Sequence, residues 1–180
     1  MNREIKPGPR KGLIIVNTGN GKGKTTAALG LLFRALGRDF RVVMFQFIKS
    51  RTHKYGEHLL AEKLGAEIIP LGDGFTWESK NIEFDKRLAA EGWSECQKRI
   101  QSGNYDMIIL DELTYLLNYK WLDLNEVLNV LRDRDPNLHI VITGRDAPVE
   151  LIEVADLVSE VKEIKHPFKR GIRAQIGIEL

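Results

Sequence analysis

The sequence predicts an α/β protein with a three-layer, P-loop NTPase-like (RecA-like) fold: a mostly parallel sheet with helices on both faces. Three observations predict it. Short apolar runs rich in β-branched residues alternate with longer stretches of helical spacing, as expected for parallel strands linked by crossover helices. Polar clusters at 18–25, 46–49, 111–112 and 143–145 each follow one of those runs, and open parallel sheets gather ligands at that edge. Finally, a glycine-rich segment, Gly19-Asn20-Gly21-Lys22-Gly23-Lys24-Thr25-Thr26, leaves the first strand and opens the first helix, the setting a phosphate-binding loop requires.

The elements follow in order. Residues 13–17 read as a strand buried on both faces. Residues 25–36 have helical spacing, and Gly37 stands where that helix stops. A second strand is predicted over 41–47, a helix over Gly56–Leu64 and a short strand over 66–69. Residues 70–81 read as a loop holding Gly72, Gly74, Phe75 and Trp77. A long amphipathic helix follows over 82–102. The strand 107–110 ends in Asp111-Glu112. Residues 123–132 are helical, with Asp123 as N-cap. His139–Thr143 is another buried strand, ending in Gly144-Arg145, and 148–154 is a short helix. The remainder reads as a final strand pair, 157–164 and 172–178, around the basic turn 165–171.

A chain of 180 residues suits one domain with a real core. Residues 12–180 read as that domain and 1–11 as a flexible N-terminal arm. Hydrophobic residues at 43% and charged residues at 29% are ordinary for a globular protein. A net charge of +2 gives no footing for nucleic-acid binding, and no apolar run approaches membrane-spanning length. One cysteine, Cys96, excludes an internal disulfide and a cysteine-cluster metal site. A reducing, cytoplasmic setting is the natural expectation.

The loop is where chemistry concentrates. Its glycines let successive backbone N–H groups turn towards an anion, and the following helix adds the positive end of its dipole. Lys24 would neutralise phosphate charge, and the Thr25 hydroxyl would ligate magnesium. The loop departs from the usual pattern. Three residues, where four are usual, separate Gly19 from Gly23-Lys24, and Thr18 stands at the expected glycine. The partner motif is 107–112, an apolar strand ending in two carboxylates, one of which can hold the metal or its water.

The phosphate loop, Val-Met-Phe-Gln-Phe-Ile-Lys at 43–49, Gly74-Phe75-Thr76-Trp77, Leu110-Asp111-Glu112-Leu113-Thr114-Tyr115, Thr143-Gly144-Arg145 and Lys165-His166-Pro167-Phe168 stand in this order. Together they resemble the P-loop type of ATP:corrinoid adenosyltransferase, from about Gly12 to the C-terminus. The shortened loop is itself a trait of that family. The resemblance implies transfer of the 5′-deoxyadenosyl group of ATP to Co(I) of a corrinoid, either cobalamin or cobyrinic acid a,c-diamide, with release of triphosphate. It implies assistance by Mg2+ or Mn2+, a flavin-type electron donor protein, and a homodimer.

By family position Glu112 is the first metal carboxylate and Asp111 the second, while Phe75 and Trp77 line the corrin pocket. Lys24, Thr25 and Glu112 are then the catalytic set, and Gly19 to Thr26 bind ATP. Some residues keep two readings. Lys22 could touch phosphate or be solvated. Gln46, Lys49 and Arg145 could face the site or serve structure. Phe45 and Phe47 are core, and His166 belongs to a solvated turn. Two rival functions stand beside the transferase: a RecA-like ATPase, and a nucleotide-dependent corrinoid escort without turnover.

Overall fold

The computed structural model describes residues 10–72 and 82–179. Six strands form one sheet: β1 (Ile14–Thr18), β2 (Val42–Ser50), β3 (Glu67–Gly72), β4 (Met107–Asp111), β5 (His139–Thr143) and β6 (Leu157–Glu160). Their order is β3-β2-β4-β5-β1-β6, and every pairing is parallel. The helices are α1 (Lys24–Leu36), α2 (Gly56–Leu64), α3 (Ile82–Gln101), α4 (Leu113–Asn118), α5 (Leu124–Arg132) and α6 (Val149–Val154).

Alternation along the strands splits the core in two, because successive side chains point to opposite faces. Ile15, Val42, Met44, Met107, Ile109 and Val141 meet Ala28, Leu32 and Ala35 of α1. Their neighbours Val16, Val43, Phe45, Ile108, Leu110, Ile140 and Ile142 meet α3, α4, α5 and α6 through Trp93, Leu113, Leu128 and Leu151. Strands buried on both faces must be apolar at every position, which is why they read as continuous runs. Phe45 and Phe47 are core residues, as the sequence suggests. Asp123 caps α5 by accepting from the Glu126 N–H at 2.8 Å.

Three differences from the sequence reading have physical reasons. The final strand pair does not form. β6 alone joins the sheet, parallel to β1, while Pro167–Arg170 is a 3-10 turn and residues 172–178 pair with no strand. The end of that segment turns on itself instead, with the Ile178 and Glu179 N–H groups both donating to Gln175 O, at 3.2 and 2.9 Å. α4 went unpredicted because six residues are too short for helical periodicity to register; its Leu113, Leu116 and Leu117 are buried. Pro70, read as the start of a loop, lies inside β3, an edge strand where a missing N–H is tolerated.

Register carries the consequence for function. Asn17 aligns with Thr143, and Gln46 with Asp111. The C-terminal ends of β2, β4, β5 and β1 therefore stand side by side.

Candidate active site

The loop after β1 is packed against the chain's own C-terminal region. The Gly21 N–H donates to Val161 O at 2.7 Å. At Gly19, φ is +93° and a Cβ would stand 2.6 Å from Val161 O, so a side chain there would displace the segment that backs the loop. Gly23 caps α1 in a left-handed conformation. Asn20 and Thr26 are exposed, and Lys24 is buried. The Lys24 amine donates to Gly19 O at 2.9 Å and Gly21 O at 2.8 Å. Burial pushes that amine below its ordinary value, opposed by the nearby Glu112 carboxylate. Lys22 forms an ion pair with Glu179.

Across the loop stands the end of β4. Asp111 is 1% exposed. Its Oδ1 accepts from Thr25 Oγ1 at 2.9 Å and from Thr143 Oγ1 at 2.6 Å, and Thr143 Oγ1 accepts from the Glu112 N–H at 2.9 Å. Desolvation raises the Asp111 carboxyl, opposed by the hydroxyls of Thr143 and Thr25. Glu112 takes a left-handed backbone, φ 62°, which turns the chain sharply from β4 into α4. Its carboxyl is pushed up to about 7, first by burial and then by the charge of Asp111.

A cavity of about 640 Å³ opens here. Gly21 to Thr26, Lys49, Glu57, Glu112, Tyr115, Arg145 and His166 line its polar end. Leu29, Leu32 and Phe33 of α1 and Leu60 and Leu64 of α2 line an apolar arm. Residues 177–179 close one side. The structure thus brings together the loop, Thr25, Asp111 and Glu112, as the sequence predicts. Asp111 lies behind the wall, and Glu112 faces the space.

The residues with two readings also find places. Lys49 lines the cavity and forms an ion pair with Glu57. Gln46 is fully buried and approaches Asp111 Oδ2 at 3.4 Å. Arg145 lines the cavity and makes no ion pair among the described residues. His166, read as belonging to a solvated turn, borders the same space. Phe75, Trp77 and most of the expected arm lie outside the described residues. Arg10 and Lys11, at the end of that arm, form ion pairs with Asp106 and Asp156. Sequence reasoning missed Glu57, His58, Tyr115, Thr143 as a carboxylate partner, and Glu179. Only Tyr115 and Thr143 stood within quoted motifs. The others reach the site through α2 and the C-terminal segment, whose spacing carries no signal of it.

The donor set suits a hard divalent cation. Among the described residues no group of three His, Cys, Asp or Glu side chains could hold a metal ion, so a dedicated protein cage is absent there. One hydroxyl, Thr25 Oγ1, and the carboxylates of Asp111 and Glu112 form an all-oxygen corner. Glu112 Oε2 is buried without a hydrogen-bond partner. Magnesium beside a phosphate chain characteristically takes one or two carboxylates and keeps several waters. The residues fit such an ion.

Comparison with known proteins agrees with this geometry. Residues 10–180 match the family described as ATP:corrinoid adenosyltransferase BtuR/CobO/CobP. A corrinoid adenosyltransferase of Escherichia coli (strain K12) is 44% identical over 94% of this chain and 86% of its own length. Corrinoid adenosyltransferase CobA of Salmonella typhimurium is 43% identical over the same shares. A Sinorhizobium corrinoid adenosyltransferase is 42% identical over 94% of this chain and 80% of its own length. In fold alone, the flagellar accessory protein FlaH from Methanocaldococcus jannaschii is similar, with a TM-score of 0.50 at 12% identity, over 84% of this chain and 71% of that one. With a match spanning the phosphate loop, the paired carboxylates and the C-terminal segment alike, the chain belongs to the ATP:corrinoid adenosyltransferase family BtuR/CobO/CobP.

Proposed function

We propose that this chain transfers the 5′-deoxyadenosyl group of ATP to the Co(I) of a corrinoid, cobalamin or cobyrinic acid a,c-diamide, and releases inorganic triphosphate. The observation that carries the reading is the phosphate loop, one residue short, opposed across the cavity by Glu112 and braced from behind by Asp111.

The reaction is a displacement at carbon. Co(I) donates an electron pair to C5′, the C5′–O bond breaks, and the triphosphate leaves with that bond's electrons. No side chain has to act as nucleophile, and no water needs a general base. What the protein supplies is alignment and stabilisation of charge on the leaving group. Lys24 exchanges its two carbonyl partners for phosphate oxygens. The loop N–H groups and the start of α1 face the same anion. Thr25, Asp111 and Glu112 would hold Mg2+ or Mn2+, which supplies positive charge against the triphosphate. Lys49 and Arg145, at the cavity's rim, add cationic charge near the same corner.

The family resemblance adds further expectations to this proposal. Residues 12–180 act as one catalytic domain. Phe75 and Trp77 contact the corrinoid, a flavin-type protein supplies the electron, the working unit is a homodimer, and the protein is cytoplasmic. No helix among the described residues is long and apolar enough to cross a membrane.

The test is direct. ATP, Mg2+ and chemically reduced cobalamin are supplied, and the products are read. A light-sensitive adenosylcobalamin with stoichiometric triphosphate is expected. Orthophosphate without adenosylated product would instead identify an ATPase, and corrinoid binding without turnover an escort protein.

A further inference from the structure

A chain of polar contacts runs from the start of α2 into the carboxylate corner. At its outer end, His58 Nδ1 accepts from the Tyr55 backbone N–H at 3.2 Å. That bond assigns the ring proton: Nδ1 is the acceptor, so Nε2 carries the hydrogen. His58 Nε2 then lies 2.6 Å from Gln46 Oε1, and the amide must present its oxygen there. Its NH2 is thereby turned the other way. It donates to Asp111 Oδ2 at 3.4 Å and to Glu57 Oε1 at 3.3 Å. The opposite amide orientation would set a carbonyl oxygen against two carboxylates and leave the imidazole N–H facing a donor. Gln46 is 0% exposed and His58 is 7% exposed, so water does not compete for these contacts. Burial also pushes the imidazole below its ordinary value, opposed by Glu57, which favours the neutral ring that the geometry requires.

We propose that His58 is a positioning residue for the metal corner, acting through Gln46 to fix the rotation of the Asp111 carboxylate. Asp111 Oδ1 is already engaged by the hydroxyls of Thr25 and Thr143. Among the described residues, its other oxygen has one partner, the Gln46 amide. Gln46 also engages Glu57, which forms an ion pair with Lys49 at the cavity wall. The placement of α2 is therefore tied to the position of the metal-side carboxylate and of one cavity lysine. The inference rests on the reading of Asp111 as part of the metal corner.

The test reads metal binding as well as turnover. Binding of Mn2+ in the presence of ATP is followed by loss of the free-ion EPR signal, for the full chain and four variants. His58→Leu removes the donor and is expected to weaken Mn2+ binding about tenfold, the scale at which outer partners of ligands act. ATP affinity in EDTA should not change. His58→Gln keeps a donor and an acceptor at this helix position and should restore most of the loss. Gln46→Met should weaken binding similarly, and His58→Leu added to it should cost nothing further, because the two act in series. Wild-type Mn2+ binding in His58→Leu overturns the proposal, as does an additive loss in the double variant. Should His58→Leu fail to fold, Gln46→Met decides: wild-type binding there overturns it equally. Product formation by the wild type is scored separately. Weakened Mn2+ binding in an inactive protein would overturn the transferase reading and keep this one. Normal adenosylation with unaltered Mn2+ binding would do the reverse.

Discussion

Thr25 Oγ1 donates a 2.9 Å hydrogen bond to Asp111 Oδ1, joining the first turn of the phosphate-loop helix to the end of β4. Asp111→Asn isolates what the charge contributes. The Asn oxygen can still accept from Thr25 and Thr143, so the local backbone should hold. Its NH2 then faces the NH2 of Gln46, and a metal-side negative charge is gone. Mg2+-dependent ATP binding is expected to fall roughly 10- to 100-fold, measured by calorimetry with and without the metal. Metal-free ATP binding should change little.

Lys24 presents a different exchange. Its amine donates to two loop carbonyls, so Lys24→Ala costs the folded protein little, about 1 kcal/mol. The loss should appear on binding. At a hundredfold excess of MgATP over its Kd, the wild type gains about 2.7 kcal/mol. For a domain of this size that raises Tm by roughly 5–10 °C. The variant should show almost no rise in the same thermal melt.

Much of this was legible beforehand, for identifiable reasons. Strands buried on both faces leave continuous apolar runs, so β1, β2, β4 and β5 were readable, along with the polar residues that end them. Thr25, Asp111 and Glu112 could be paired because both motifs follow strands, and parallel strands end on one edge. The partner of Asp111 on β5, Thr143, is set by register, which no single strand encodes. His58 looks like any helix-surface residue until α2 folds against β2. The segment 172–178 alternates like a strand, yet its end forms a turn held by bonds to Gln175 O, which alternation does not encode. Glu179 reaches Lys22 across nearly the whole chain length, a contact invisible to spacing.

Trp77 is the residue for which the family resemblance and the chemistry make a separable claim. Reducing Co(II) is easier once an axial donor is removed and water excluded, because both raise the energy of the oxidised state. Trp77→Ala is expected to bind ATP normally and to lose adenosylation when Co(II) substrate and a reductant are supplied. With chemically prepared Co(I), activity should survive. Equal loss in both assays would place Trp77 outside the reduction step.

Gly144 follows β5 with φ +142°, and a Cβ there would lie 1.9 Å from Thr114 Oγ1. That hydroxyl donates to Arg145 O at 2.6 Å, so α4 is fastened to the chain just past Thr143. Gly144→Ala combines backbone strain with overpacking and should destabilise by roughly 2–4 kcal/mol. Denaturant unfolding would measure it. In a Thr114→Ala background the same change should cost less, since the nearest colliding atom is gone.

At the opposite edge of the sheet, Asp106 makes a prediction about acid. Its carboxylate accepts from the Arg41 backbone N–H at 2.9 Å, from Arg41 Nε at 3.0 Å and from Arg10 Nη2 at 2.8 Å. These partners, Arg41 first, hold it well below its ordinary value of 3.8. A depressed folded-state value means that the unfolded chain takes up the proton first. The stabilisation is therefore complete at neutral pH, begins to decline as pH falls through about 3.8, and is lost only once the folded group protonates. Asp106→Asn should lower stability at pH 7 by about 1–2 kcal/mol. The gap between variant and wild type should stay constant from pH 7 to 5 and narrow steadily below pH 4, read by urea unfolding at each pH. Because the pair lies away from the cavity, turnover at 25 °C should be that of the wild type. A gap that widened in acid would mean that Asp106 is not the ionised partner of the two arginines.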